Sequence, residues 1–144
     1  KDCNKSSVAV IKSNGVDFVK WNNKNVTPYK DDYSISFFRQ SSSYNVAVFN
    51  RESDSTDNKI VLLSKNGNHK YTVKYSGAIN DICVKGRNIY CLSDTGITVL
   101  DFEGNIKAVS EYGFGGVGLH VTSANVAVVV TDNEIFRVKT NEEG

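Results

Sequence analysis

Apolar positions along this chain fall in runs of four to six residues, separated by clusters of Asn, Asp, Ser and Gly. No stretch repeats apolar residues at i, i+3, i+4 and i+7, so no amphipathic helix is predicted. Short apolar runs bounded by turn residues predict β-strands. The runs Ser7-Val8-Ala9-Val10, Asn45-Val46-Ala47-Val48, Asn88-Ile89-Tyr90-Cys91 and Asn125-Val126-Ala127-Val128 begin 38, 43 and 37 residues apart. A turn cluster follows each, at Ser13-Asn14-Gly15, Ser55-Thr56-Asp57-Asn58, Asp94-Thr95-Gly96 and Thr131-Asp132-Asn133. A second apolar strand then begins at Val16, Ile60, Ile97 and Ile135. A further turn comes at Asn22–Asn25, Asn66-Gly67-Asn68, Glu103-Gly104-Asn105 and Asn141–Gly144. Gly and Asn accept the positive φ that tight hairpin turns demand.

A third strand after that turn shows in 69–73 and 105–109. Another precedes each Asn-led run, at 34–38, 79–84 and 118–121. One period of about 40 residues thus holds four strands, which is the blade of a β-propeller. Continuous apolar runs such as Ile60-Val61-Leu62-Leu63 fit strands buried on both faces. The predicted fold is all-β: a partial β-propeller of about three and a half four-stranded antiparallel blades. As one segment over 1–144, it divides into blades at 7–30 (incomplete, lacking its first strand), 34–75, 79–112 and 117–140 (incomplete, lacking its last). Propellers usually close with 4–8 blades. An open arc would leave apolar faces in water. Completion is expected from the missing remainder of a parent chain, from a second copy as a homodimer, or from closure of the arc as a small irregular sheet structure. The chain opens on Lys1 rather than Met, which fits a processed chain or an excised piece.

Composition agrees with the strand reading. Val is the commonest residue, with 19 copies, and Tyr and Phe contribute seven each; such residues suit a pleated surface. Charge nearly cancels, with 17 Lys+Arg against 16 Asp+Glu, so no nucleic-acid footprint is expected. No apolar run reaches 18 residues, so no helical membrane span is expected within this chain.

The segment Gly96-Ile97-Thr98-Val99-Leu100-Asp101-Phe102-Glu103-Gly104-Asn105 resembles the quinoprotein-like (PQQ-like) repeat, a strand and turn running from Gly through alternating apolar residues to Leu-Asp-x-x-Gly that recurs in each blade. The likeness runs through 34–140 and, more loosely, 7–30. The chain is also similar to bacterial propeller domains of unknown function that follow an N-terminal membrane anchor in Gram-positive bacteria. That resemblance implies an extracytoplasmic setting, tethered to the membrane through a segment outside this chain. Quinone-cofactor enzymes of the same class carry a Thr-Gly pair with Trp four residues after the Gly. Here Thr95-Gly96 is followed by Leu100, and Trp21 stands in another context. No cofactor is therefore expected.

Candidate chemistry is sparse. Cys83 and Cys91 flank the Gly86-Arg87-Asn88 turn. A three-residue loop would set them opposite one another, whereas two or four residues would send them to opposite faces; free, buried thiols are the expected state. Three Cys make no disulfide framework. Asp54-Ser55-Thr56-Asp57-Asn58 reads as a long solvated hairpin tip rather than a Ca²⁺ loop, lacking the Gly and terminal Glu of an EF-hand. Gly113–Gly118 joins two strands without a helix, so it fails as a dinucleotide loop, and Phe114 is expected to pack between blades. His69 and His120 are read as structural. No catalytic residue, cofactor-binding residue or metal ligand is assigned. Trp21, Tyr29, Tyr33, Arg39 and Arg51 form the expected ligand-binding region, although its aromatics are equally suited to filling gaps between blades. The expected function is a non-catalytic scaffold presenting loops to a protein or polysaccharide partner. The alternative is a carbohydrate- or cell-wall-binding propeller using exposed aromatics, and the third reading is a quinoprotein-type enzyme.

Overall fold

The computed structural model describes residues 2–4, 7–20, 22–41, 43–112, 115–123 and 126–139. Among these residues fifteen strands run in chain order: β1 Asp2–Asn4, β2 Ser7–Lys12, β3 Gly15–Lys20, β4 Val26–Lys30, β5 Ser34–Gln40, β6 Asn45–Arg51, β7 Asp54–Leu63, β8 His69–Ser76, β9 Asp81–Lys85, β10 Asn88–Leu92, β11 Gly96–Leu100, β12 Ile106–Glu111, β13 Gly118–Ser123, β14 Val126–Val130 and β15 Ile135–Lys139. They form four antiparallel sheets, each with its strands in simple sequence order: β1–β4, β5–β8, β9–β12 and β13–β15. That meander is the propeller blade. The chain is all-β, a partial β-propeller. It divides into two compact units, 1–76 and 77–144, each holding two sheets.

The first blade differs from expectation. It is complete, because Asp2–Asn4 pairs with β2 through Asp2↔Val8 and Asn4↔Ser7. Three residues are too few to show a strand period in the sequence. Sheet four has three described strands, β13, β14 and β15.

In the first unit, Ala9, Val16 and Phe18 of sheet one meet Ala47, Phe49, Val61 and Leu63 of sheet two in one buried cluster. In the second unit, Tyr90, Leu92, Ile97 and Val99 of sheet three meet Leu119, Val121, Ala127 and Val129 of sheet four. Each large side chain so buried contributes about 1.5–3 kcal/mol of transfer free energy. Sheets two and three are buried on both faces. Val46 through Phe49 and Ile60 through Leu63 are all inaccessible, as are Ile89 through Leu92. This is the physical origin of their unbroken apolar runs.

The repeated motif residues do mechanical work in the turns. Gly67 and Gly104 both sit at φ +91°. Each turn closes alike: Ser64 N–H donates to Asn68 O (2.8 Å), and Asp101 N–H donates to Asn105 O (3.0 Å). The Asp101 carboxylate also accepts from the Glu103 and Asn105 amides at 2.9 Å. At the starts of β3 and β11, a Cβ on Gly15 would lie 2.3 Å from Tyr29 O, and one on Gly96 2.0 Å from Ser110 O. Gly96 and Asp101 are thus explained by the strand start and the turn.

Candidate functional site

The link from β4 to β5 carries Asp31, Asp32 and Tyr33, and it crosses the end of the first unit where the β2–β3 and β6–β7 turns lie. Backbone bonds hold it there: Asp31 N–H donates to Asn14 O, and Ile35 N–H to Ser13 O, both at 2.8 Å. A groove of about 640 Å³ follows this end, lined by Ser13, Asn14, Asp32, Tyr33, Ser34, Asn50, Arg51 and Glu52.

Tyr33 is its centre, buried at 8% exposure. Its hydroxyl accepts from Arg51 Nη2 (3.0 Å) and donates to Asp57 Oδ2 (3.0 Å). Arg51 Nε closes the triangle on Asp57 at 3.1 Å. Lys59 Nζ stands 4.0 Å from the centre of the Tyr33 ring and the Arg51 guanidinium carbon 5.1 Å. The ring quadrupole favours both cations. Lys59 then bonds Asp31 Oδ1 (3.0 Å) and Asp32 Oδ1 (2.5 Å). Asp31 also accepts from the Tyr29 hydroxyl (2.9 Å) and the Tyr33 amide (3.0 Å).

These contacts set the protonation states. The hydrogen bond from Lys59 holds Asp32 down at about 2. The same bond, with Asp31 behind it, pushes Lys59 above its ordinary value. Burial, reinforced by the bond to Asp31, pushes Tyr29 up to about 12. Each shift carries its group away from neutrality.

Of the expected ligand-binding residues, the structure brings Tyr29, Tyr33 and Arg51 into one cluster. Arg39 is not among them. It pairs with Val46 toward the far end of β5, five positions from Ser34, or about 16 Å along the strand. Trp21 and Phe114 lie outside the described residues. The Tyr29 ring is packed between Phe49 (5.7 Å) and His69 (5.8 Å, 9° interplanar), and the Tyr33 ring is covered by its two cations. Neither presents an open platform for a sugar. Sequence reasoning missed Asp31, Asp32, Asp57 and Lys59. One signal was available: Asp57 and Lys59 stand two apart on one strand and so share a face.

The Asp54–Asn58 segment corrects its expected place. It belongs to β7, and the hairpin tip is Glu52-Ser53. A bulge absorbs the extra residues, since Asn50 pairs with Asn58 but Arg51 with Asp54. Asp54 is occupied by the Thr56 amide and hydroxyl (2.9 and 2.7 Å), while Asp57 turns to Arg51 and Tyr33. Dense oxygen residues concealed the bulge because Asp and Ser usually mark tips.

Cys83 and Cys91 are free. The loop between their strands has two residues, with Lys85 paired to Asn88, so Cys83 faces Tyr90 and Cys91 faces Ile82. The thiols point to opposite faces, and burial pushes Cys91 up to about 12.

The second unit has a larger groove of about 980 Å³ at its corresponding end, lined among others by Asn80, Asp94, Gly116, Asp132 and Glu134. Its anchors are different. Asp81 Oδ1 accepts from Ile82 N–H and Oδ2 from Leu119 N–H, both at 2.8 Å. Asn80 Nδ2 donates to Asp94 Oδ1 (2.7 Å) and Gly116 O (2.9 Å). No group of three or more His, Cys, Asp and Glu suited to a metal ion occurs among the described residues.

Comparison with known proteins gives the following. A search of curated proteins finds no match. The crystal structure of HIRA residues 644–1017 is similar, with a TM-score of 0.54 at 11% identity. The similarity covers 95% of this chain and 47% of that one, so this chain spans about half its length. At such low identity the likeness concerns the fold alone. The model of a family of unknown function, DUF5711, matches residues 3–140, and the chain belongs to that family.

Proposed function

We propose that this chain is a non-catalytic interaction module that receives an extended protein segment in the groove beside Tyr33 and Arg51. The carrying observation is the closed network around Tyr33. It fixes donors and acceptors at the groove wall before any partner arrives, which lowers the entropy lost on binding. General acid–base work needs a group titrating near the working pH; Asp32, Lys59 and Tyr29 are each shifted away from it. The covered rings of Tyr29 and Tyr33 favour a peptide over a polysaccharide. Kinship to PQQ-like repeats belongs to the same proposal, supported by the Gly96–Asn105 pattern, and an extracytoplasmic setting is proposed on the resemblance to membrane-anchored propeller domains.

Selection of binders from a random peptide library, alongside a glycan array, tests this reading. Peptides are expected to bind, and Arg51→Ala is expected to weaken them at least tenfold. Binders that ignore Arg51→Ala, binding confined to glycans, or turnover of a substrate would overturn it.

A further inference from the structure

Sheets one and four each bury one face and leave the other open. In sheet four the register places Val130 with Ile135, Val128 with Arg137 and Val126 with Lys139 on the outward face. Val130 is 38% exposed and Ile135 72%. In sheet one, Lys12 pairs with Gly15, Val10 with Asp17 and Val8 with Val19 on the outward face, and Val19 pairs in turn with Val26. Val10 is 44% exposed and Val26 53%. Contiguous apolar faces left open in this way mark interaction surfaces.

The second unit shows how such a face receives another sheet. In sheet three the pair flanking the β10–β11 turn, Leu92 and Ile97, is buried in the cluster shared with sheet four. The corresponding pair of sheet four, Val130 and Ile135, points outward instead. Sheet four therefore presents outward the kind of face with which sheet three meets its successor.

We propose that this face docks the outward face of sheet one of a second copy of this chain. Opposite charges meet in the second row, and valines flank them in the rows beside it. Counted from the turn joining the second and third strands of each full blade, Arg137 stands in the second row of its face and Asp17 in the second row of the other. Asp17 is the sole carboxylate in residues 7–30, and Lys12 pairs with it at 2.5 Å. Arg137 has no ion pair among the described residues. Docking sets Arg137 over Asp17 amid Val10, Val128 and Val130. This contact is separate from the groove and does not rest on the peptide-binding reading.

Sedimentation equilibrium of the 144-residue chain tests it. The expected mass rises with concentration above 15.9 kDa. Arg137→Asp and Asp17→Arg each weaken association at least tenfold, and an equimolar mixture of the two variants, or both changes in one chain, restores it. Ile135→Asp, at a widely exposed position, weakens it without touching either charge, and Arg51→Ala leaves it unchanged. A mass fixed at 15.9 kDa at all concentrations would overturn the proposal and assign the faces to other cover. So would failure of the paired charge reversals to restore association.

Discussion

The two units fasten their sheet pairs at the same end by different chemistry. In the first, the β4–β5 link is held by a web of charged and phenolic side chains, Asp31, Asp32, Tyr33, Arg51, Asp57 and Lys59, half of it open to water. In the second, a single buried carboxylate, Asp81, receives two backbone amides, one of them on the neighbouring sheet. Gly116 lies tight against the core there, since a Cβ on it would come 2.7 Å from Val129 and 3.0 Å from Leu92. The lesson concerns where recognition can arise. A fastening built of exposed polar side chains leaves fixed donors and acceptors on the surface, whereas one built of buried backbone contacts spends them internally.

The largest effect should come from the core common to both sheets of the first unit. Phe49→Ala empties a fully buried site and is expected to cost about 4 kcal/mol. A denaturant melt would show the loss, and amide exchange would locate it in β2, β3, β6 and β7. Full retention of protection there would mean the polar web, not the core, holds this unit. Next, Asp81→Ala strands the amides of Ile82 and Leu119, with an expected loss of about 2–4 kcal/mol. Exchange at Leu119 should accelerate most. A loss below that range would erase the contrast between the units.

Tyr33→Phe keeps the ring under its two cations and removes one bridging hydroxyl. The Arg51–Asp57 pair survives, so the expected cost is about 1 kcal/mol. A much larger loss, measured by thermal melting, would show that the web acts as one cooperative body.

Alkaline titration separates the units more finely. Tyr29 in the first and Tyr112 in the second are both pushed up to about 12. Burial leads in each case, but Asp31 adds to it only for Tyr29. The folded value exceeds the unfolded value near 10. Their contribution to stability is therefore complete below pH 10 and disappears as pH rises through 12. Phenolate absorbance should show Tyr29 and Tyr112 titrating late, and of these two Asp31→Asn should bring only Tyr29 toward 10. The smallest effect is one of order. A thiol reagent should modify half-buried Cys83 before buried Cys91, whose labelling should wait for unfolding.

Much of the fold was legible because a blade is a local object. Its strands pair with their chain neighbours, so turn residues and short apolar runs suffice to place them. The glycines at 67 and 104 announced their positive φ through spacing alone. Legibility failed where pairing left no side-chain pattern. Asp2–Asn4 was too short, and the bulge at 55–57 used residues that ordinarily mark tips. The site was half legible. Tyr29, Tyr33 and Arg51 stood out by type, but their partners did not. Lys59 lies 26 residues from Tyr33 in the chain and meets it only because sheet two places β7 beside the link from sheet one.

By itself, the order of residues determined the strand period, the turn positions and the all-β class, since these depend on backbone sterics and contacts within a single meander. Which aromatics would be covered, which charges would meet and which valine faces would stay open was decided only by tertiary structure. Those outcomes depend on the packing of one sheet against another, and a sheet face carries no mark in the chain of what will lie over it.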